Sequence, residues 1–117
     1  MPKRVLAPKN RIVKTEEEKW TEKKLLNTIR AVALECKWMV YHTQVSLYSA
    51  RGFPDLCMVK DGKLLLWELK GPKGKVSKAQ DEWIDVLREV PGVDARVVYP
   101  DDLEAAYKTL MTGEWPA

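Results

Sequence analysis

Two acidic residues and one lysine, separated by a short turn, are the residues of this 117-residue sequence best suited to chemistry. Asp55 lies in the pentapeptide GFPDL, and Glu68 and Lys70 lie in the pentapeptide WELKG. Neighbouring carboxylates are typical ligands of Mg²⁺, which combines one or two of them with water and phosphate oxygens. A lysine beside them could orient an attacking water or stabilise negative charge that develops on a phosphate. These residue types point to metal-dependent cleavage of nucleic acid.

The turn between the two segments decides whether the acids meet. An Asp-Gly dipeptide at 61–62, flanked by apolar runs, is a strong signal for a two-residue hairpin turn. Such a turn pairs Leu56 with Trp67, and it therefore places Asp55 opposite Glu68, with the lysine two residues later on the same side. A turn with an odd number of residues would instead put Asp55 on the other face from Glu68.

Directly opposed carboxylates need a physical reason to stay together. Their Cβ atoms are about 4.5–5.5 Å apart in an antiparallel pair, and like charges at that distance are destabilising. A bound cation would remove this repulsion. The alternative is that Asp55 and Glu68 are solvated residues at a sheet edge, with Lys70 as a surface ion-pair partner. The run 64–69 argues against this alternative, because it is apolar on both faces apart from Glu68 and is typical of a central strand.

Composition and charge indicate one intracellular globular domain. The chain is 45% hydrophobic and 32% charged, with a net charge of +3, and it has neither a signal-peptide core nor a stretch apolar enough to span a bilayer. Cys36 and Cys57 lie in apolar patterns, which favours reduced thiols. His42 is the only histidine, so a zinc cluster or a Ser-His-Asp triad cannot be assembled.

Positive charge is concentrated at the amino terminus. The first fourteen residues contain no acid and five basic residues: Lys3, Arg4, Lys9, Arg11 and Lys14. We predict a flexible arm over residues 1–14, a single domain over 15–112 and a tail over 113–117. The arm could bind phosphate groups, or it could be a solubilising tail or part of an oligomer contact.

Caps and apolar periodicity predict an α/β fold with the element order α-β-β-β-α-β-α. Thr15 and Glu18 fit a capping box for a helix over 16–36, and Ser77 and Gln80 fit a second one. The predicted strands are 38–43, 56–60, 64–70 and 95–99, with Gly92 ending the second helix and Asp101 or Asp102 capping the last. A helix between the last two strands implies a right-handed crossover and parallel pairing, so we expect a mixed sheet with helices on both faces.

Two helical side chains are candidates for the same site. Steps of four and three residues lead from Glu22 to Leu26 and Ile29, which puts a carboxylate on the buried stripe of the first helix. Glu17 or Glu18 would be equally well placed if Glu22 lies at the exposed margin of that stripe. The second candidate is the glutamine of the second capping box, which lies near the end of the strand that carries the acids.

Several basic residues adjoin the acids in sequence and could neutralise backbone phosphates. They are Arg51, Lys73, Lys75 and Lys78. The alternative for each lysine is a solvated loop position. Because phosphate contacts carry no sequence information, we expect selectivity for the shape or the ends of DNA.

The motifs resemble those of a known nuclease superfamily. Pro54-Asp55 followed by Glu68-x-Lys70 resembles the PD-(D/E)xK nucleases. The fuller set GFPDL, ELKG and SKAQ is similar, more narrowly, to the virus-type replication-repair nuclease branch, VRR-NUC, over about residues 21–107. This resemblance implies a restriction-endonuclease-like core and a metal-dependent endonuclease that uses Mg²⁺ or Mn²⁺ and no organic cofactor.

The resemblance also assigns roles to individual residues. It implies that Asp55, Glu68 and the backbone carbonyl of Leu69 bind the metal, with Glu22 as the acid of the first helix, Lys70 as the catalytic lysine and Gln80 as a catalytic-site residue.

Further expectations concern the partners of the protein. Small members of this branch are typically phage or bacterial, form homodimers and cleave branched DNA such as four-way junctions. The resemblance therefore implies a branched DNA substrate, a homodimer, no membrane and a location in the cytoplasm of a bacterium or a phage-infected host. Two other functions are compatible with the same residues: a non-catalytic nucleic-acid-binding module, and a nuclease subunit that needs a partner for specificity. Intact Asp55, Glu68 and Lys70 argue against the first of these.

Overall fold

A computed structural model describes residues 20–43 and 51–117. These residues form a mixed α/β fold of helices and strands. In chain order the elements are α1 (Glu22–Glu35), β1 (Met39–His42), β2 (Leu56–Lys60), β3 (Lys63–Leu69), α2 (Lys78–Leu87), β4 (Val93–Val98) and α3 (Leu103–Thr112), with a short 3₁₀ turn (Pro100–Asp102) before α3.

The strands form one mixed sheet in the order β1-β2-β3-β4. The β1–β2 and β2–β3 pairs are antiparallel, whereas β4 runs parallel to β3. Parallel neighbours need a crossover connection, and α2 lies in the segment that connects them. The predicted parallel pairing of the last two strands is therefore confirmed.

The hairpin of β2 and β3 has the predicted register. Leu56 pairs with Trp67, and the pairing continues to the residues on either side of the turn. Asp61 and Gly62 have φ values of 50° and 77°, which is the left-handed pair of conformations that a type I′ turn requires. The turn thus brings the end of β3 next to the start of β2.

Alternate residues of β3 belong to two separate apolar clusters. One cluster includes Leu65, Trp67 and Leu69 of β3, Leu25 and Ile29 of α1, and Ala106 and Leu110 of α3. The other includes Leu66 of β3, Ile84 of α2 and Ala95 of β4. Since successive strand residues point to opposite faces, Glu68 is on the same side of the sheet as Leu66 and faces α2.

Helix α1 begins at Glu22 and not at residue 16 as predicted. Thr21 is its N-cap: the backbone is extended there (φ −86°, ψ 164°) and the side chain accepts a hydrogen bond from the amide of Lys24. A continuous helix over 16–36 is therefore wrong, and Thr15 and Glu18 lie outside the described residues. Glu22 is exposed rather than buried, because it is the first helical residue, one turn before the first buried side chain.

Other boundaries also differ from the predictions. α2 ends at Leu87, five residues before Gly92, because the intervening residues turn the chain into β4 and Gly92 has a φ of 82° in that turn. β4 spans Val93–Val98 and so begins two residues early. Asp102 is the N-cap of α3, but its side chain accepts a hydrogen bond from the amide of Tyr99 instead of capping the helix.

The remaining expectations concern the two cysteines, membrane-spanning segments and the basic amino-terminal arm. Cys36 and Cys57 are half-buried free thiols. Within residues 20–43 and 51–117, no helix has both the length and the apolar character to cross a membrane. The basic arm over residues 1–14 lies outside the described residues.

Candidate active site

The carboxylate of Asp55 is fixed against the end of β3. Asp55 immediately precedes β2, and its carbonyl accepts a hydrogen bond from the amide of Thr43 at 2.8 Å. Its side-chain Oδ2 accepts a hydrogen bond from the backbone amide of Leu69 at 2.9 Å. This bond joins the two strands of the hairpin just beyond their last pair, Leu56 with Trp67. It holds Asp55 beside Glu68, as the predicted register requires.

Glu68 is the most buried acid of the site. Its relative exposure is 2%. Oε2 accepts a hydrogen bond from Nε2 of Gln80 at 2.8 Å and lies 3.6 Å from Nζ of Lys70. Oε1 is buried and has no hydrogen-bond partner among the described residues. Buried polar atoms in folded proteins nearly always have a partner, so this oxygen is a candidate ligand atom.

The surroundings of Glu68 change its acidity. Burial raises the pKa of Glu68 from an ordinary value of 4.5 to about 8, and the negative charge of Asp55 adds to the rise. The ammonium group of Lys70 acts in the opposite direction. Without a metal, protonation of Glu68 near neutral pH relieves its repulsion with Asp55.

Gln80 joins helix α2 to the acids. Oγ of Ser77 accepts a hydrogen bond from the amide of Gln80 at 3.1 Å, and the amide of Ser77 donates one to Oε1 of Gln80 at 2.9 Å. This arrangement confirms the predicted capping box. The remaining amide group of the same side chain donates to Glu68, so α2 is oriented with its amino terminus at the acids.

Lys70 is held by a loop that folds back over it. Its side chain is only 11% exposed. A Cβ atom placed on Gly74 would lie 3.1 Å from Cβ and 3.2 Å from Cδ of Lys70, so the loop backbone packs on the aliphatic part of the lysine. The amide of Gly74 donates to the carbonyl of Gly71 at 3.0 Å, and the hydroxyl of Tyr99 donates to the carbonyl of Gly74 at 3.3 Å.

Gly74 and Tyr99 were not predicted to contribute to the site. The sequence offered one weak signal, the loop GPKGK directly after the lysine. Nothing in local spacing could indicate that a residue at the end of β4 reaches that loop.

The other predicted residues all have exposed side chains. The amide nitrogen of Glu22 lies 3.9 Å from where a Cβ of Gly71 would be, so the start of α1 is next to the end of β3, but the side chain of Glu22 is exposed. The four basic residues are exposed as well: Arg51, Lys73, Lys75 and Lys78. Arg51 precedes the Asp55 segment, and the three lysines lie in the loop and the first turn of α2.

The donor atoms suit a hard divalent cation with few protein ligands. In the described part of the chain, no group of three or more His, Cys, Asp or Glu side chains could hold a metal ion. Two carboxylates are nevertheless enough for Mg²⁺, which keeps several waters and binds phosphate oxygens. The unpartnered Oε1 of Glu68 and the free lone pairs of the Asp55 carboxylate fit this requirement.

Comparison with known families agrees with this geometry. A model of the VRR-NUC domain matches residues 7–102. The chain belongs to the VRR-NUC family. The region matched contains the whole stretch from Asp55 to Gln80 on which the site is built, and VRR-NUC membership implies a nuclease-type function with DNA as substrate. Neither a curated protein nor a solved structure matches the chain.

Proposed function

We propose that this VRR-NUC protein is a metal-dependent endonuclease that hydrolyses phosphodiester bonds in DNA. The observation that carries the proposal is the meeting of Asp55, Glu68 and Lys70 at the end of β3, with one oxygen of Glu68 buried and unpartnered. The proposed core of the protein is that of the restriction-endonuclease-like fold, with the element order α-β-β-β-α-β-α and helices on both faces of the sheet. The burial of β3 by two apolar clusters supports this core.

The metal would be Mg²⁺ or Mn²⁺, held by Asp55, Glu68 and the backbone carbonyl of Leu69. Glu22 would be a further ligand only if its exposed side chain turned towards the two acids. A bound divalent ion supplies Lewis acidity towards the scissile phosphate and makes a coordinated water easier to deprotonate. Gln80 contributes by orientation. Because its amide occupies Oε2 of Glu68, the other oxygen of that carboxylate is left for the metal, as expected of a residue that orients a metal ligand.

Lys70 carries the charge that the reaction needs. Its ammonium group lies beside Glu68 and is shielded from bulk solvent, and electrostatic interactions are stronger in such surroundings than in water. There it stabilises the negative charge that develops on the phosphate and aligns the attacking water. The packing of Gly74 on its aliphatic part limits where that ammonium group can go.

The DNA backbone is bound by exposed basic residues that flank the centre. Arg51 precedes the segment that carries Asp55, and Lys75 and Lys78 lie in the loop before α2 and in its first turn; Lys73 extends the set. Such contacts position a phosphate chain without reading its sequence. We therefore infer selectivity for DNA structure, with branched DNA such as four-way junctions as the substrate. A homodimer fits this substrate, because two symmetry-related sites can cut two strands of a symmetric junction.

The test is a panel of single-stranded, duplex, flap and four-way DNA, incubated with Mg²⁺ or Mn²⁺ and each protein variant. We expect cleavage by the wild type and a loss of at least about 100-fold in Lys70→Met, which removes a charge that stabilises the transition state. Lys108→Met is the matched control, since Lys108 is an exposed residue of α3 and should leave cleavage unchanged.

Two results would contradict the proposal. Junction binding by the wild type without metal-dependent cleavage would show a non-catalytic module instead. Cleavage that requires an added protein would show a subunit that depends on a partner. Sedimentation of the wild type at micromolar concentration, with and without junction DNA, tests the dimer; a monomer under both conditions would rule out the junction-resolving form.

A further inference from the structure

We propose that Gly52 and Trp83 are positioning residues that hold the first turn of α2 against the segment carrying Asp55. Together with Phe53 and the carbonyl of Arg51 they form what we call the α2 clasp. The clasp acts through Gln80, because it sets the position from which the side-chain amide of Gln80 donates to Glu68. The expected effect on metal binding rests on the proposed function, whereas the contacts themselves do not.

Gly52 allows two stretches of backbone to approach closely. Its φ is +88°, a conformation that side-chain-bearing residues rarely adopt. A Cβ atom on Gly52 would lie 2.5 Å from the carbonyl carbon and 2.7 Å from the carbonyl oxygen of Ala79. Ala79 is in the first turn of α2, directly before Gln80. Because the atoms in contact belong to the backbone, any side chain at Gly52 would have to push the helix away.

Trp83 fixes the same turn from a second direction. Its indole Nε1 donates a hydrogen bond to the carbonyl of Arg51 at 3.0 Å. Its ring meets that of Phe53 edge to face, with 5.0 Å between centroids and 83° between planes, which is a favoured aromatic geometry. Trp83 follows Gln80 by three residues, so the two side chains lie on the same face of the helix.

Burial alone does not account for these contacts. Trp83 is only half-buried, as is Phe53; Ile84 is the buried residue of α2. The carbonyl that Trp83 binds belongs to Arg51, whose side chain is exposed. A tryptophan with a directed hydrogen bond to an exposed loop is suited to fixing a relative position rather than to filling a core.

The position fixed in this way is the one that Glu68 depends on. α2 packs against β4, and the clasp ties the amino-terminal part of the helix to the residues just before Asp55. Gln80 directly follows Ala79, which Gly52 contacts, and donates to Glu68 at 2.8 Å. Hydrogen bonds weaken steeply with distance and angle, so a helix released on the clasp side would lose this bond while keeping its contact with β4.

The variants are Trp83→Phe, which keeps an aromatic ring but loses the indole N–H, and Gly52→Ala, which forces the backbones apart. Trp115→Phe is the matched control, because Trp115 is a half-buried tryptophan outside the clasp, packed on Trp67. Two quantities are measured: the NMR chemical shifts of the Gln80 side-chain amide in the metal-free protein, and the affinity for Mn²⁺ by titration calorimetry.

In both clasp variants we expect the Gln80 amide resonances to move towards the positions of a solvated side chain. We expect the affinity for Mn²⁺ to fall about tenfold, the typical loss when a partner of a metal ligand is disturbed. In a Gln80→Ala background, Trp83→Phe should cause no further loss. The control should change neither quantity.

Unchanged Gln80 resonances in Trp83→Phe would overturn the proposal, as would an equal and additional loss of Mn²⁺ affinity in the Gln80→Ala background. If Gly52→Ala fails to fold, Trp83→Phe still decides the question. If the wild type binds no Mn²⁺ and cuts no DNA, the proposed function fails, but the Gln80 resonances still test the clasp.

Discussion

The carboxamide of Gln80 is shared between Ser77 and Glu68. Its oxygen accepts a hydrogen bond from the amide of Ser77 at 2.9 Å, while its nitrogen donates to Oε2 of Glu68 at 2.8 Å. One side chain therefore closes the amino terminus of a helix and restrains a carboxylate of the site. The two tasks can be separated by mutation.

Replacing Gln80 with Ala should affect both tasks, and replacing Ser77 with Ala should affect only the cap. We expect Gln80→Ala to lower the free energy of unfolding by about 1–2 kcal/mol and Ser77→Ala to lower it by about 1 kcal/mol. DNA cleavage should fall at least about tenfold in Gln80→Ala and stay near wild type in Ser77→Ala. Urea unfolding and cleavage rates measure the two effects; an equal loss of cleavage in both variants would mean that the cap alone matters.

The raised pKa of Glu68 predicts how stability depends on pH without metal. Since the folded-state pKa of about 8 is above the ordinary value of 4.5, the folded protein holds this proton more tightly than the unfolded chain does. The contribution of Glu68 to stability is therefore full below about pH 4.5 and is lost as the pH rises through about 8.

Thermal unfolding of the metal-free protein across this pH range provides the measurement. Glu68→Gln cannot ionise, so this part of the pH dependence should disappear in that variant. Affinity of the wild type for Mn²⁺ should rise over the same range, because the ligand must lose its proton. Identical pH profiles for wild type and Glu68→Gln would show that the carboxyl group titrates normally.

The hydroxyl of Tyr99 should matter for Lys70 more than for the fold. Tyr99→Phe removes the bond to the carbonyl of Gly74, and because that bond is long we expect a loss of stability of no more than about 1 kcal/mol. The loop that packs on Lys70 becomes less restrained, so kcat should fall several-fold while KM changes little. Tyr107→Phe, on α3, is the control and should leave kcat unchanged.

A larger effect on Lys70 is expected from Gly74→Ala. Its added methyl group would lie 3.1–3.2 Å from two carbons of Lys70, closer than ordinary van der Waals contact, and would displace the lysine. We expect a drop in cleavage of at least about tenfold, with near-normal stability because the loop is at the surface. Full cleavage by this variant would show that the lysine position is not critical.

The hairpin turn provides a change that should affect stability alone. Gly62 has a φ of +77°, and a Cβ atom added there would meet no other atom within 4 Å, so only backbone conformation opposes a larger residue. We expect Gly62→Ala to cost about 1 kcal/mol of stability. Cleavage should be retained, because buried residues such as Leu56 hold the register. Loss of Mn²⁺ binding in this variant would instead reveal a slipped hairpin.

The hairpin and the capping box could be predicted because both are set by residues close together in sequence. Asp61 and Gly62 fix the pairing that brings the acids together, and a Ser-x-x-Gln pattern marks the start of α2. The start of α1 could not be predicted in this way. Thr15 and Thr21 are both followed by good helix formers in the sequence. The role of Thr21 as the N-cap of α1 goes with the packing of Trp20 against the core, which local sequence does not encode.

The clasp and the loop over Lys70 were beyond prediction for a related reason. Gly52 matters because it touches Ala79, and Gly74 because it touches Lys70 and is held by Tyr99. Each contact depends on how α2 and β4 are placed on the sheet. A glycine in a sequence indicates that a close contact or a positive φ is possible at that position. It does not indicate which residue the glycine contacts.

The short connection between β2 and β3 also has a kinetic consequence. Their pairing is the most local in the described sheet, whereas pairing of β3 with β4 requires the whole of α2 in between. Contacts between nearby residues form early in folding because little loop entropy is lost. We therefore expect Asp55 and Glu68 to come together before α2 supplies Gln80, so that their mutual repulsion acts on the folding transition state. We expect the metal-free chain to refold faster in mild acid than at alkaline pH.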